Sequence, residues 1–149
     1  GEDYSPRRAF ATLSNAMDVG DPSNFTRILE MFDHSLPELS KILSSVSITD
    51  DETKETMKRV YDQFGYTLDP HGAVGYLALE RFLSSEYPTE KGMFLETAHP
   101  VKFYDVVEPV LNTKISVPES VQQIIVLPKK SKWIENSYDE LKTFLLEKK

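Results

Sequence analysis

Apolar residues recur at helical spacing along most of the chain, and capping patterns indicate where several of these helices begin. Ser or Thr followed three residues later by Glu forms a capping box at Ser35, Thr49 and Ser137. The apolar stripe after Ser35 continues to Val46, while the helix after Thr49 is predicted to end at Gly65, since glycine suits a left-handed helix end. Two further helix starts are predicted where aspartate precedes proline. These pairs are Asp21-Pro22 and Asp69-Pro70.

Two short segments between the helices have the composition of strands. Residues 66–68 include an aromatic and a β-branched residue, and residues 93–96 contain an apolar run that follows Gly92 and ends before Glu96. Each segment is followed by a proline that suits the first turn of a helix. Strands that alternate with helices pair in parallel through right-handed crossovers. We therefore predict an α/β fold, with a partial open parallel sheet and flanking helices.

Polar residues follow both predicted strands. In an open parallel sheet, ligands bind beyond the carboxyl ends of the strands, where helix N-termini present free N–H groups. The predicted topology places His71, Thr97 and His99 at one crevice of this kind. An ordinary strand-to-helix connection in which His99 caps a helix is the alternative, because the site and not the fold decides function.

The composition is that of a folded domain. The chain has 149 residues, of which 40% are hydrophobic and 28% are charged, and this balance argues against disorder. Residues 12–20 show no sustained hydrophobic period. We predict an N-terminal linker or loop over residues 1–20 and a single α/β portion over residues 21–149.

The net charge and the length of the apolar runs limit the kinds of binding partner that this chain is expected to have. The net charge of −7 makes nucleic acid and anionic membrane surfaces poor partners. No apolar run approaches the roughly 18 residues of a membrane-spanning helix. The first residues have neither the basic nor the apolar segment of a secretory signal, so the expected location is the cytoplasm.

Several chemistries lack the residues that they need. The chain contains no cysteine, which excludes disulfides, thiolate metal sites and a cysteine nucleophile. His71 and His99 have too few neighbouring ligands for a metal site, so none is predicted. The Gly-x-Ser-x-Gly, Walker and Gly-x-Gly-x-x-Gly motifs are absent. Composition and periodicity alone indicate an α/β domain with a crevice.

Three groups of residues carry a resemblance to a known family. They are residues 11–19 with 22–25, the Asp-Pro-His-Gly segment at 69–76, and the Thr-Ala-His-Pro segment at 97–103. In this order they resemble the carboxyl-terminal part of the threonine synthase family, in its bacterial and fungal branch. Residues beyond 103 match only loosely.

The resemblance implies a pyridoxal-phosphate (PLP) enzyme of the tryptophan-synthase-like fold type II. Within this fold type, the threonine synthase family converts O-phosphohomoserine and water into threonine and phosphate, and the resemblance implies the same reaction. In this fold type a neutral hydroxyl contacts the pyridine nitrogen of the cofactor, and the match assigns that hydroxyl to Thr97. Ala98, the next residue of the motif, is expected to contact the cofactor as well.

Four residues are candidates for the lining of the active site. The resemblance makes Asn15 and Asp18 part of a loop that borders the site or the domain boundary, and the alternative is that they only hold turns. For His71 the alternative is a hydrogen-bonded structural histidine. For His99 it is a helix cap.

The resemblance also implies that part of the enzyme is missing. In the family, the Schiff-base lysine and the glycine-rich loop for the cofactor phosphate lie in the preceding part of the chain, and nothing here matches them. We therefore expect a fragment without a catalytic residue of its own, inactive alone, whose partner is the amino-terminal part of the same chain. The alternatives are another fold type II PLP enzyme acting on serine or cysteine derivatives, and a non-catalytic α/β module that binds a ligand or a partner.

Overall fold

The computed structural model describes residues 4–147, which fall into two compact units divided after Ser116. Short 3-10 helices occur at Asn15–Met17 and Pro100–Phe103. The α-helices of the first unit are α1 (Phe25–Met31), α2 (Leu36–Leu39), α3 (Asp50–Phe64), α4 (Pro70–Glu86) and α5 (Tyr104–Leu111). The second unit contains α6 (Glu119–Ile125) and α7 (Tyr138–Glu147).

The prediction of an α/β fold with a partial open parallel sheet is wrong. Every regular element within residues 4–147 is a helix, and no strand occurs there. Residues 66–68 and 93–96 are irregular segments: Leu68 is buried among the helices, and Phe94 packs edge-on against Tyr76 of α4. A short apolar run has the same pattern whether it pairs with a strand or packs against helices, and this ambiguity explains the error.

The core of the first unit lies where α3, α4 and α5 meet. Residues spaced three apart on α3 turn the same face inward, and the segment before α4 adds a buried leucine. Thr53 and Thr56 on α3 are also buried, and the Thr53 hydroxyl donates to the Thr49 carbonyl at 2.8 Å. The buried apolar cluster consists of Met57, Val60, Leu68, Ala73, Val107 and Leu111.

The ends of α3 confirm what the local sequence predicts. The Thr49 hydroxyl accepts from the Glu52 N–H at 3.3 Å, and the Glu52 carboxylate accepts from the Thr49 N–H at 2.7 Å. These reciprocal bonds satisfy two backbone donors that the helix itself leaves open. At the other end, Gly65 adopts a left-handed conformation with φ of 65°.

Two ion pairs join α3 to α4. Arg59 donates to both carboxylate oxygens of Glu80, at 2.9 and 2.6 Å, and Arg81 donates to Glu52 at 2.6 Å. The second pair includes the capping glutamate, so the start of α3 is held by a side chain of α4. The hydrogen bond from Arg81 and those from Thr49 lower the pKa of Glu52 to about 2.

The second predicted helix is shorter than its apolar stripe. Ser35 caps it as predicted, since its hydroxyl accepts from the Glu38 N–H, but α2 ends at Leu39. The expected continuation to Val46 is wrong, because residues 44–46 run without helical structure and Val46 is 52% exposed. Within residues 4–147, no helix has the combined length and apolar character needed to cross a membrane.

Candidate functional site

The start of α4 is organised by one buried carboxylate. Asp69 is the N-cap of α4, as the Asp-Pro pattern predicts. Its side chain has no solvent exposure. Its Oδ1 atom accepts from the His71 N–H at 2.6 Å and from the Gly72 N–H at 3.4 Å. The cap therefore fixes the backbone of the Asp-Pro-His-Gly segment.

Both ring nitrogens of His71 contact the protein. Nε2 accepts from the backbone N–H of Ala16 at 3.2 Å, and Nδ1 lies 2.8 Å from Asp69 Oδ1. Because an amide N–H can only donate, Nε2 is the acceptor, and Nδ1 carries the proton that it donates to Asp69. The ring also packs on Phe103, with 4.7 Å between centroids. The side chain of His71 is 7% exposed and has the contacts of a structural histidine.

Asn15 and Asp18 lie in the loop that His71 holds. The Asp18 carboxylate accepts from the Thr12 N–H at 2.8 Å and from the Thr12 hydroxyl at 2.7 Å. Asn15 is exposed, and its carbonyl accepts from the Asp18 N–H at 3.2 Å. Near one end of the loop, Leu13 N–H donates to Asp50 at 3.0 Å. The structure thus places both residues in a closed loop at the N-termini of α3 and α4.

Thr97, Ala98 and His99 lie together in the wall of a cavity of about 780 Å³. Thr97 is exposed, and its hydroxyl has no hydrogen-bond partner in the part of the chain that the structure describes. His99 caps the 3-10 helix Pro100–Phe103, with Nδ1 accepting from the Val101 N–H at 3.1 Å. The wall also includes Tyr61, Tyr66, Thr113 and Lys114.

The cavity has the size and the lining of a small-molecule site. Pockets of roughly 300–1,000 Å³ with a few well-placed polar groups hold most small ligands. Aromatic rings at Tyr61 and Tyr66 and the hydroxyl of Thr97 can contact a planar polar molecule. The ammonium group of Lys114 pairs with Glu108, and this hydrogen bond lowers the pKa of Glu108.

The sequence-based expectations assign no role in the site to Glu96. Glu96 directly precedes Thr97 and lies in the same cavity wall, where its Oε1 accepts from the Asp69 N–H at 3.2 Å. Burial, and next the neighbouring Asp69 carboxyl, raise the pKa of Glu96 to about 7. Gly72 lies against the Glu96 carboxyl group, which occupies the place of a side chain at position 72. A glutamate that ends an apolar run is the one local signal for this contact.

The described residues offer no metal-binding arrangement. No group of three or more His, Asp or Glu side chains between residues 4 and 147 is arranged to hold a metal ion. His71 Nδ1 instead pairs with Asp69 Oδ1 at 2.8 Å.

Comparison with known proteins identifies the family. The family model described as "Threonine synthase, C-terminal" matches residues 72–145. The threonine synthase of Buchnera aphidicola subsp. Acyrthosiphon pisum is 42% identical over 145 residues, covering 97% of this chain and 33% of that protein. The chain belongs to the threonine synthase family. The resemblance predicted from the three motif groups is thereby confirmed.

Solved threonine synthase structures share the fold. The crystal structure of threonine synthase from Escherichia coli superposes with a TM-score of 0.79 and 34% identity, covering 99% of this chain and 33% of that chain. The PLP-bound threonine synthase from Brucella melitensis has a TM-score of 0.73 and 24% identity, covering 97% of this chain and 36% of that chain. This chain therefore spans about a third of the threonine synthases that it matches.

Proposed function

We propose that this chain is the carboxyl-terminal part of a PLP-dependent threonine synthase that converts O-phosphohomoserine and water into threonine and phosphate. The observation that carries the proposal is the Thr97 hydroxyl, which lies in a cavity wall inside the Thr-Ala-His-Pro motif without a hydrogen-bond partner among residues 4–147. A hydroxyl in that position is free to contact a ligand. The bound PLP of the Brucella melitensis relative supports the choice of ligand.

In this proposal Thr97 and Ala98 hold the pyridine ring of PLP. When bound, PLP supplies a conjugated ring that accepts electron density from the α-carbon of the substrate. The Thr97 hydroxyl is neutral, so it donates a hydrogen bond to the ring nitrogen without promoting its protonation as a carboxylate would. Ala98, with a side chain of one methyl group, leaves room for the ring.

The other candidate residues either line the cavity or hold the segments around it. We propose that His99 contributes to the wall directly while it caps the helix that follows. Asn15, Asp18 and His71 border the active site by holding residues 12–18 against the start of α4. The Schiff-base lysine and the loop for the cofactor phosphate are assigned to the amino-terminal part of the enzyme, so the 149-residue chain alone is proposed to be inactive.

The cellular compartment in which the enzyme works follows from the proposed substrate. O-Phosphohomoserine carries a phosphate group, and charged phosphate esters do not cross membranes unaided. We therefore propose that the enzyme works in the cytoplasm, together with the reactions that make its substrate.

Substitution of Thr97 in the full-length protein tests the cofactor contact. Thr97→Val removes the hydroxyl at nearly constant volume and is expected to weaken PLP binding about fivefold to tenfold, the effect of one hydrogen bond of roughly 1 kcal/mol. Thr97→Ser keeps the hydroxyl and should bind PLP as the wild type does. Thr113→Val is the matched control, because Thr113 lies elsewhere in the same wall.

The substrate is tested separately. Phosphate release from O-phosphohomoserine and turnover of serine derivatives are measured with the same preparation. The proposal predicts turnover of O-phosphohomoserine, whereas turnover of the serine derivatives alone would indicate another enzyme of the same cofactor class.

For the cofactor contact, an unchanged PLP affinity in Thr97→Val would contradict the role of Thr97.

A further inference from the structure

Two carboxyl groups lie next to each other, and one of them, that of Glu96, belongs to the cavity wall that carries Thr97. Asp69 has no solvent exposure, and its backbone N–H donates to Glu96 Oε1 at 3.2 Å. The other oxygen of each group, Asp69 Oδ2 and Glu96 Oε2, is also buried. Within residues 4–147, these two atoms are the buried side-chain polar atoms that no donor in the protein reaches.

Close packing keeps Glu96 in this place. Its carboxyl group lies over the first turn of α4, where a Cβ atom at position 72 would overlap it, so only glycine allows the approach. Asp69 is equally fixed, because its Oδ1 atom binds His71 and Gly72. Neither carboxyl group can turn away without breaking a hydrogen bond.

A single proton reconciles this geometry with electrostatics. Two ionised carboxylates offer only acceptors and repel each other, and the burial of both without a counter-charge is strongly unfavourable. If one carboxyl group is protonated, it donates to the other, and both buried oxygens gain a partner. The raised pKa of Glu96 has the same cause, since burial and then the hydrogen bond and charge of Asp69 favour the protonated form.

The surrounding groups do not replace the proton. His71 faces the pair from α4, and its Nδ1–H is directed to Asp69 Oδ1, not to the unpartnered oxygens. In the described part of the chain, no lysine or arginine forms a hydrogen bond with Asp69 or Glu96. The other titratable groups in the same cavity wall are Tyr61, Tyr66, His99 and Lys114.

We propose that Glu96 is a positioning residue, which shares one proton with Asp69 and thereby holds the adjoining Thr97 in the cavity wall. Above neutral pH the shared proton is lost, the two carboxylates repel each other, and the segment that carries Thr97 loosens from the start of α4. Ligand binding at Thr97 therefore depends on pH. The pairing of Glu96 with Asp69 does not depend on the proposed function. Only the link between this pairing and PLP binding rests on the proposed function.

The variant Glu96→Gln mimics the protonated state. Its amide NH₂ donates to Asp69 Oδ2 while its carbonyl oxygen keeps the bond from the Asp69 N–H, so the contact no longer needs a proton. Glu55→Gln is the matched control, because Glu55 is an exposed glutamate on α3. Glu96→Ala removes both contacts and should be less stable than the wild type below neutral pH, where the wild type keeps the shared proton.

The first measurement is the thermal midpoint of the ligand-free full-length protein between pH 5 and 8.5. A raised pKa in the folded state means that the stabilisation is complete below the unfolded-state pKa and is lost as pH rises through about 7. The midpoint of the wild type and of Glu55→Gln should fall over this range more steeply than that of Glu96→Gln. An infrared band of a protonated carboxyl group at pH 6 should disappear in Glu96→Gln.

The second measurement is PLP affinity over the same pH range. At pH 8 about a tenth of the molecules keep the proton, so the affinity of the wild type should fall about tenfold relative to Glu96→Gln. Identical pH profiles of unfolding for the wild type and Glu96→Gln would overturn the proposal. A protein that binds no PLP at any pH would contradict the proposed function instead, and the unfolding profiles would still decide on the pair.

Discussion

The Nε2 atom of His71 accepts a hydrogen bond from the backbone N–H of Ala16, 3.2 Å away, and joins two segments 55 residues apart. The same ring donates through Nδ1 to the buried carboxylate of Asp69. One neutral imidazole thus satisfies a helix cap and a loop amide together. The position of residues 12–18 next to α4 depends on this side chain.

Removal of the imidazole should loosen that loop. His71→Phe leaves the Ala16 N–H without its acceptor and removes the Nδ1–H donor to Asp69, and we expect a loss of about 1–3 kcal/mol in the free energy of unfolding. Urea denaturation measures the loss, and limited proteolysis should show earlier cleavage within residues 12–18. His34→Gln, at an exposed histidine, should change the free energy by less than about 0.5 kcal/mol. Equal effects of the two variants would contradict the structural role of His71.

A methyl group at position 72 should destabilise the protein only while Glu96 is present. Gly72→Ala forces the Glu96 carboxyl group aside, and overpacking of this kind costs about 1–3 kcal/mol. In a Glu96→Ala background the same change should be close to neutral, so a double-mutant cycle should give a coupling of at least about 1 kcal/mol. Gly75→Ala is the matched control, because its Cβ would meet Phe94 at an ordinary 3.8 Å. Strictly additive effects would show that Gly72 and Glu96 do not contact each other.

The ends of α3 were predictable because their signals are local. Thr49, Glu52 and Gly65 lie within or beside one helix, and the hydrogen bonds that they form follow from sequence spacing. The sheet prediction failed because strand pairing is not local. Leu68 has the pattern of a strand residue, and only the positions of three helices show that it is a core residue.

The loss of thermal stability at acidic pH should depend on Glu52. Hydrogen bonds from Arg81 and Thr49 lower the pKa of Glu52 to about 2, so its stabilisation is present above the unfolded-state pKa and is lost as pH falls towards 2. Glu52→Gln should flatten the decline of the thermal midpoint between about pH 4.5 and 2. This slope is opposite in sign to that of Glu96. If the thermal midpoint of Glu52→Gln declined with acid as steeply as that of the wild type, the contribution of the hydrogen bonds from Arg81 and Thr49 to Glu52 would be contradicted.

The site was predictable only in part, for the same reason. Thr97 and His99 stand out because a polar cluster before proline follows an apolar run, and the structure brings both into one cavity wall. The pairing of Glu96 with Asp69 joins residues 27 apart and has no motif. Its only sequence signal is a glutamate two positions after Phe94, on the inward side of an otherwise apolar segment.

The central claim is that Thr97 contacts the ring nitrogen of PLP, and a crystal structure of the full-length protein with PLP bound tests it most directly. We predict that Thr97 Oγ1 lies about 3 Å from the pyridine nitrogen, with Ala98 next to the ring. A ring nitrogen that lies beyond hydrogen-bond reach of Thr97, or that contacts a carboxylate instead, would contradict the account.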